Sequence, residues 1–308
     1  MLIYKTSMDF FDKIVKDIKK NKVRKFKTLK CNPSEKGKKI NKTMKSCYDD
    51  KSLQLLKKIW NKRYPESKIS ARRPNKIWEN IQTNMKSQCD NEMCWIDQIM
   101  KNNKNKLVLK EKFAPLAPDS WKSNINEWLS SKDIREVMRQ YEAKHDNFVF
   151  MGPSPIDFDE KIGSYCVWPE ICNISMKNLI KKKKNKIGII FNTDRHNQSG
   201  SHWIALIIDV NKKVIFYFDS NGNPIPNQVK ELMDRVQRQC NKLGINMKLD
   251  SNVNFQHQET NTECGMYCLY FIISLIQNKH PISYFKNHRI PDDRVEKLRE
   301  EYFNLLRE

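Results

Sequence analysis

The sequence predicts an α+β fold in which a mixed or antiparallel central sheet is flanked by helices and preceded by a helical arm. Three β-rich runs follow one another between residues 187 and 219. Amphipathic helical patterns lie on both sides of these runs, at 127–145 and 226–243. Positive charge is concentrated in the first third of the chain. These observations divide the 308 residues into a basic, mainly helical arm, 1–110, and a globular domain, 111–308.

The formal charge differs sharply between the two predicted parts. Residues 1–110 contain 29 Lys and Arg but only 11 Asp and Glu, a net charge of +18, out of +21 for the whole chain. Residues 111–308 contain 28 and 25, which leaves +3. A basic arm of this size predicts non-specific binding of nucleic acid or of another polyanion. A Lys-rich and Asn-rich coding bias with a solvated basic face explains the same charge, and both interpretations stay open here.

The arm has helical patterns on both sides of a polar segment. Residues 1–20 place one apolar stripe on a helix, formed by Phe10, Phe11, Ile14, Val15 and Ile18. Residues 20–46 are Lys-rich and polar, which is typical of a linker or a flexible arm. Two helices are predicted at 51–64 and 74–101. Their expected inward-facing side chains are Trp60, Ile77, Trp78, Ile81, Trp95 and Ile99. A Lys-Asn run at 101–106, followed by Pro115 and Pro118, marks the end of the arm.

The globular domain alternates helices and strands. An amphipathic helix is predicted at 127–145, and β-rich runs follow at 187–192, 203–210 and 213–219. Asn211 and Lys212 join the last two runs, a spacing that predicts a hairpin. The pattern is completed by a helix at 226–243, strand character within 245–255, an apolar helix at 264–276 and an amphipathic helix at 291–307.

The cysteine pattern and the apolar runs exclude several protein classes. The nine cysteines are odd in number and form no CxxC pair, so we expect reduced thiols in a cytosolic compartment, with no metal site and no cofactor. The first twenty residues lack a long apolar core, so no signal peptide is expected. The longest apolar run, 264–276, is shorter than the ~20 residues that span a bilayer, which predicts a buried helix and no membrane span.

Cys264 has the setting of a catalytic nucleophile. It follows a polar loop, QETNTE, and is the first residue of the predicted apolar helix. A helix N-terminus carries partial positive charge and free N–H groups, which favour a thiolate over a thiol. Cys268 lies one turn further along and is expected in the core. Taken alone, Cys264 could equally be a small buried residue at a helix start.

His202 and Asp219 have the positions of a general base and of the carboxylate that orients it. His202 lies where one predicted strand begins, and Asp219 lies where the next strand ends. These two ends are neighbours in a hairpin, so the two side chains should meet at the rim of the sheet. Two alternatives remain: Asn221 could orient the imidazole in place of Asp219, and His257 could replace His202 as the base.

Gln258 and Gly265 complete the candidate site. The side-chain amide of Gln258, in the loop before Cys264, can donate to an oxyanion together with the backbone N–H of Cys264. Gly265 would allow a substrate backbone to approach closely. The four residue types and their order therefore predict nucleophilic cysteine catalysis.

This set resembles the ubiquitin-like-protein protease family, which includes the SUMO-specific proteases and the adenovirus-type endopeptidases. The resemblance is carried by His202-Trp203, by Asp219, and by Gln258 followed by Cys264-Gly265. The segment WLSSKDI at 128–134 resembles the WLxDxxI helix of that family. The resemblance covers roughly residues 120–280 and implies a cysteine protease of the same fold.

A narrower resemblance is to the polyprotein-processing proteases of large cytoplasmic DNA viruses, of the African swine fever virus type. It is carried by MGPSPIDFD at 151–159 and by the separate helical arm with its CDNEMCW stretch. It implies cleavage after Gly-Gly, at Gly-Gly-X sites in viral structural polyproteins, during maturation of the virion, in the host cytoplasm and in the virion itself. It also implies that Trp203 and Trp128 line a narrow tunnel that admits backbone but excludes side chains, although either could be a core residue.

Two other functions remain possible at this stage. The chain could be a deSUMOylase or deubiquitinase that acts on host conjugates, which would require a docking surface for a folded ubiquitin-like protein. It could also be a nucleic-acid-binding structural protein with an inert protease domain, an interpretation that rests on the basic arm and leaves the four candidate residues as coincidence.

Overall fold

The computed structural model describes residues 25–35, 37–40, 45–101 and 103–306. The chain divides into two compact units, Met1–Ala114 and Pro115–Glu308. The division falls after Ala114 rather than after Lys110, because Phe113 forms a β-bridge with Cys31 within the first unit. The helix expected at 1–20 lies outside the described residues.

The described part of the first unit is mainly helical. Its helices are α1 (Asp50–Arg63), α2 (Pro74–Met85), α3 (Glu92–Ile99) and α4 (Lys106–Lys110), and its short antiparallel hairpin pairs β1 (Lys38–Lys39) with β2 (Lys45–Ser46). All six side chains expected to face inward are buried, namely Trp60, Ile77, Trp78, Ile81, Trp95 and Ile99. These residues therefore form the small helical core that the periodicity predicted.

Two sequence expectations for this unit are wrong. The helix expected at 74–101 is two helices, because the chain turns after Met85 and Asn91 starts α3 by accepting a hydrogen bond from the Cys94 N–H at 3.0 Å. The segment expected to be a linker is also partly folded: Leu29 and Ile40 are buried. The segment is so polar overall that these two isolated apolar residues gave no recognisable pattern in the sequence.

The expectation of reduced thiols is wrong for six cysteines. The structure contains the disulfides Cys31–Cys47, Cys89–Cys94 and Cys166–Cys172. Their Cα atoms lie 5.2, 5.5 and 6.4 Å apart, within the range that a disulfide spans. Cys240, Cys264 and Cys268 are free and buried.

The second unit is built on a five-stranded mixed sheet. The strands are β3 (Phe148–Pro155), β6 (Lys186–Asn192), β7 (Trp203–Asp209), β8 (Val214–Phe218) and β9 (Lys248–Ser251), and they lie side by side in that order. The three central strands are antiparallel, whereas β3 and β9 pair in parallel at the two edges. This confirms the α+β class and shows that the sheet is mixed. A separate hairpin joins β4 (Lys161–Ile162) to β5 (Tyr165–Cys166).

Helices cover both faces of this sheet. They are α5 (Ser131–Lys144), α6 (Pro169–Cys172), α7 (Met176–Lys181), α8 (Asn227–Asn241), α9 (Cys264–Ile276), α10 (Ile282–Asn287) and α11 (Asp292–Tyr302). Successive strand residues point to opposite faces, so Ile207 packs in the core that contains α9 and Ile208 in the core that contains α8. All thirteen residues of α9 are buried.

The helix expected at 127–145 begins later than predicted. Ser130 caps α5 at Ser131, because the Ser130 hydroxyl and the Asp133 carboxylate form a capping box. Trp128 and Leu129 therefore precede the helix instead of lying on it. The closing helix likewise ends at Tyr302 and does not reach residue 307. Among the residues that the structure describes, every helix is too short or too polar to span a membrane.

Candidate active site

The hairpin of β7 and β8 brings His202 and Asp219 together. His202 is the residue before β7, and Asp219 is the residue after β8. Because the strands are antiparallel, the start of β7 and the end of β8 lie side by side at the same end of the strand pair. The Nε2 atom of His202 lies 2.7 Å from the Oδ1 atom of Asp219. The carboxylate is buried, so it fixes the orientation of the ring and leaves Nδ1 for another partner.

The imidazole also forms a hydrogen bond with the side chain of Cys264, the first residue of α9. The first N–H groups of a helix have no partner within the helix, so they can stabilise negative charge on sulphur or on a bound oxyanion. Burial lowers the pKa of His202, but hydrogen bonds and attraction to Asp219 and Cys264 outweigh it and raise this pKa to about 10. The imidazole therefore holds its proton at neutral pH, beside the side chain of Cys264.

The structure separates the candidates that the sequence left open. The side chain of Asp219 bonds His202, and the backbone N–H of Asn221 donates to the same Asp219 Oδ1 at 2.8 Å. Asn221 therefore supports the carboxylate instead of replacing it. His257 is fully buried, with Nε2 2.9 Å from the Phe285 carbonyl and Nδ1 accepting from the Ile290 N–H at 3.3 Å. Burial lowers the pKa of His257, and both of its nitrogens are occupied away from Cys264.

Gln258 lines the same cleft as His202 and Asp219. Its Oε1 atom accepts from the Ser220 hydroxyl at 2.7 Å, and its Nε2 atom donates to the Thr260 carbonyl at 2.6 Å. An amide nitrogen carries two protons, so one remains for a ligand in the cleft. This arrangement suits an oxyanion donor.

The three residues expected to bind substrate have different settings. Trp128 is 40% exposed and lines the cleft with His202. Trp203 is buried, and its indole N–H donates to the Leu129 carbonyl at 3.0 Å. Gly265 faces inward: a Cβ atom there would lie 3.1 Å from Leu129 and 3.2 Å from Trp203. The small size of Gly265 therefore serves internal packing, so the expectation of close substrate approach at this position has no support here.

The cleft beside the His202–Asp219 pair has a volume of about 420 Å³. Most of its lining residues have polar, uncharged side chains, and those not yet placed in the cleft are Thr193, Ser201, Tyr217, Asn221, Asn223, Pro224, Pro226, Thr260 and Asn261. Within the described residues, no cluster of three or more His, Cys, Asp or Glu could hold a metal ion. The side chains of His202, Asp219 and Cys264 are of the types that perform acid–base and nucleophilic chemistry.

Comparison with known proteins agrees with this geometry. Residues 160–308 match the C-terminal catalytic domain of the Ulp1 protease family, and this range contains His202, Asp219, Gln258 and Cys264. A SUMO-1 cysteine protease of African swine fever virus is 30% identical over 189 residues, which cover 58% of this chain and 68% of the viral protein. The chain belongs to the Ulp1 protease family.

One further relative supports the family placement, and one solved structure supports the fold. A protein named as a thiol protease in Acanthamoeba polyphaga mimivirus is 32% identical over 182 residues. That match covers 59% of this Ulp1-family chain but only 58% of the mimivirus protein, so it spans less than two thirds of that relative. The crystal structure of an African swine fever virus protease aligns with a TM-score of 0.64 at 22% identity, over 90% of this chain and 96% of that one. The two proteins therefore share a fold.

The structure adds two buried polar contacts beside the site that the sequence did not indicate. The side chain of Asn252 accepts from the Asp219 N–H at 3.0 Å and donates to the Asp219 carbonyl at 2.7 Å. Glu263, the residue before Cys264, forms a buried ion pair with Arg299 at 2.8 Å. Both partners lie more than thirty residues apart in the sequence, and no local motif marks them.

Proposed function

We propose that this Ulp1-family chain is a cysteine endopeptidase that cleaves after Gly-Gly in viral structural polyproteins during maturation of the virion. The observation that carries the proposal is the contact of His202 with Asp219 on one side and with Cys264 on the other. The relatives from mimivirus and African swine fever virus are named as a thiol protease and a cysteine protease, which supports a viral substrate. A location in the host cytoplasm and the virion is part of the same proposal.

The proposed reaction proceeds through a thioester. The Cys264 thiolate attacks the carbonyl carbon of the second glycine, and the amide of Gln258 with the backbone N–H of Cys264 stabilises the oxyanion. His202 then gives its proton to the leaving amine, the C–N bond breaks, and the acyl group stays on sulphur. A water molecule transfers a proton to His202 and attacks the thioester, which releases the glycine carboxylate and restores the thiolate.

Selectivity for glycine is proposed to arise by exclusion. A flat indole in the wall of a narrow site leaves room for backbone but not for side chains. Trp128 is half-exposed in the cleft, so it is the indole that a substrate can touch. Trp203 would instead support the wall of the site from the interior, because it is buried and its indole N–H donates to the Leu129 carbonyl.

A second candidate substrate is a host ubiquitin-like conjugate. One observation favours it: the African swine fever virus relative is named a SUMO-1 cysteine protease. Comparing the cleavage of Gly-Gly-X peptides with that of a SUMO fusion separates the two proposals, because only a deSUMOylase gains greatly from the folded protein.

The test of the activity itself is a panel of Gly-Gly-X peptides, with wild-type protein, Cys264→Ala and His202→Ala. We expect wild-type cleavage and a loss of several orders of magnitude in each variant, with unchanged thermal unfolding. More than a tenth of wild-type activity in either variant would reject the assignment.

We also propose that the arm binds nucleic acid without sequence preference. The segment after α1 runs back along that helix, since Asn61 bonds the Ile69 carbonyl and Gln54 bonds the Arg72 carbonyl, each at 3.0 Å. This brings together the exposed side chains of Lys58, Lys62, Lys68, Arg72 and Arg73. Within the described residues, none of these five forms an ion pair with an acidic side chain, so they are available to phosphates.

The test is DNA binding across a salt series. A variant with Lys62, Arg72 and Arg73 changed to Ala should bind more weakly and show a smaller salt slope. The control is a variant with Lys86, Lys101 and Lys104 changed to Ala, which removes the same charge elsewhere in the arm. An equal loss in both variants would mean that only net charge matters, and unchanged binding in both would reject the proposal.

A further inference from the structure

We propose that Ser220 positions the Gln258 amide so that its nitrogen, and not its oxygen, faces the reacting carbonyl. The proposal rests on the protease function proposed above and concerns a residue that acts through Gln258 without touching substrate. It is carried by the hydrogen bonds at the two ends of the amide, by the burial of Ser220 and by its place next to Asp219.

The two ends of the Gln258 amide have partners of opposite character. The Ser220 hydroxyl donates to Oε1 at 2.7 Å, and Nε2 donates to the Thr260 carbonyl at 2.6 Å. A primary amide has nearly the same shape when flipped, but the flip exchanges its donor and acceptor ends. A flipped Gln258 would place oxygen against the Thr260 carbonyl and would turn negative charge toward the oxyanion. The two contacts together therefore select the productive orientation.

Ser220 is held firmly enough to perform this role. It is fully buried, and Gln258 is 2% exposed. The carbonyl of Ser220 accepts backbone N–H groups from His257 at 2.8 Å and from Gln258 at 2.9 Å. Ser220 thus fixes both the backbone and the side chain of Gln258, and its hydroxyl has little freedom to turn away.

The same peptide segment also sets the carboxylate that orients His202. Ser220 directly follows Asp219, whose N–H and carbonyl are both bonded by the side chain of Asn252. The buried dipeptide Asp219-Ser220 therefore positions both the imidazole of His202 and the side-chain amide of Gln258. A change at Ser220 should disturb the oxyanion donor while the His202–Asp219 contact stays in place.

The experiment is a double-mutant cycle between Ser220→Ala and Gln258→Ala. Activity is measured on a fluorogenic peptide that ends in Gly-Gly, and each protein is normalised by titrating Cys264 with a thiol-reactive Gly-Gly probe. Gln258→Ala should lower kcat by about 10²–10³. Ser220→Ala should lower kcat by about tenfold with KM within about twofold, because Oε1 loses its donor. In the Gln258→Ala background, Ser220→Ala should have no further effect.

Two control variants separate positioning from a structural role. Ser154 is another buried serine of this unit, and its hydroxyl donates to the neighbouring Pro155 carbonyl at 3.2 Å and not to Gln258, so Ser154→Ala should leave kcat unchanged. Ser220→Thr keeps the hydroxyl, so its kcat per titrated site should lie within about threefold of wild type even if its Tm falls. The Thr variant decides the case if Ser220→Ala folds poorly.

Three outcomes would overturn the proposal: an equal loss from Ser220→Ala in both backgrounds, a loss in KM instead of kcat, or a Thr variant as slow as the Ala variant. A wild-type protein that fails to cleave, or a Cys264→Ala protein that cleaves, would instead reject the protease function. The two failures are therefore distinguishable.

Discussion

His202 keeps its proton far above the pH at which an ordinary histidine loses it. Burial lowers its pKa, but the contacts with Asp219 and Cys264 outweigh burial and raise the pKa to about 10. In the proposed reaction the imidazolium is the acid that protonates the leaving amine, so activity should persist into alkaline solution and fall as His202 loses its proton near that pH. Asp219→Ala removes one of the two groups that raise the pKa, so the alkaline limb should move to lower pH.

The measurement is kcat/KM from about pH 6 to 11 for wild type and Asp219→Ala, normalised to titrated sites. The control is Asp194→Ala, which removes a carboxylate from the preceding loop whose oxygens accept from the Gly200 N–H and the Ser201 hydroxyl and not from His202. An alkaline limb at the same pH in wild type and Asp219→Ala would contradict the assignment of Asp219 as the group that holds the proton on His202.

The sequence indicated those residues of the candidate site that are marked by the pattern of their immediate neighbours. The sequence predicted that Cys264 and His202 lie in the same site because a helix start and a strand start are visible in the local pattern. Ser220 and Asn252 were not found, because a short polar side chain in a turn fits many roles. Their partners lie 38 and 33 residues away, and only folding brings them together.

A buried ion pair joins the closing helix α11 to the start of α9. The side chains of Glu263 and Arg299 are 2% and 1% exposed, and two nitrogens of Arg299 reach the carboxylate at 3.1 and 2.8 Å. Removal of one partner leaves a buried charge without compensation, so Arg299→Met should cost about 3–5 kcal/mol of unfolding free energy. Adding Glu263→Gln to that variant should restore much of the loss, because the uncompensated charge is then absent.

Urea unfolding of Arg299→Met, of Glu263→Gln and of the double variant measures this coupling. The matched control is the exposed pair Lys279–Glu301, whose side chains are 45% and 48% exposed, so Glu301→Gln should change stability by less than about 1 kcal/mol. If the double variant at Glu263 and Arg299 were as unstable as the sum of its singles, the uncompensated charge would not be the cause.

A buried carboxyl joins the hairpin of the arm to its helices. Glu92 accepts hydrogen bonds from the Ser46 hydroxyl and the Trp78 indole. Burial outweighs these bonds and raises its pKa from 4.5 to about 7. The folded arm therefore keeps a proton that the unfolded chain releases, and stability should fall as pH rises between these two values. The limit of this effect is about 3 kcal/mol, at about 1.4 kcal/mol per pKa unit.

The measurement is the unfolding free energy of the full chain at pH 4.5 and pH 8. Glu92→Gln carries no titrating proton, so its stability should vary less over this range than that of wild type. Glu79→Gln serves as the control, because Glu79 is a partly exposed residue paired with Lys76. An identical pH dependence in wild type and Glu92→Gln would show that the pKa of Glu92 is the same in the folded and the unfolded protein.

The elements that the sequence predicted well are those with unbroken periodicity. The central strands β7 and β8 and the apolar helix α9 were predicted to within a residue or two, because burial imposes a clear pattern on them. Strand β3 was missed because Gly152, Pro153 and Pro155 normally mark a turn. It tolerates them because its register shifts between Met151 and Ser154 at the edge of the sheet.

At the scale of the whole molecule, a reductant should act on the disulfides and leave the reduced thiol of Cys264 unchanged. Two disulfides lie in the first unit and one in the second, whereas Cys264 must remain reduced to react. Reduction of Cys31–Cys47 removes a cross-link between residues 16 apart, which is worth about 3 kcal/mol. A reductant should therefore lower the Tm of the arm while the cleavage rate per titrated Cys264 stays constant.

Alkylation under denaturing conditions, followed by mass spectrometry, checks the pairing first. Three cysteines should react without prior reduction, and all nine should react after it. Nine reactive thiols in the untreated protein would mean that the chain is fully reduced, and the expected effect of reductant on the Tm would disappear.

The complete burial of α9 has a consequence for the order in which parts of the site open. Amide protons of a helix without exposed residues should exchange with deuterium only when the whole unit unfolds, whereas exposed loops exchange through small local openings. The loops 195–199 and 259–260 are exposed, and Thr260 lines the cleft. Hydrogen exchange should therefore be slow by orders of magnitude in the turns of α9 that follow its first turn, from Cys268 to Ile276, and fast in these loops. The first turn, which includes Cys264, should exchange at an intermediate rate, because its N–H groups lack partners within the helix.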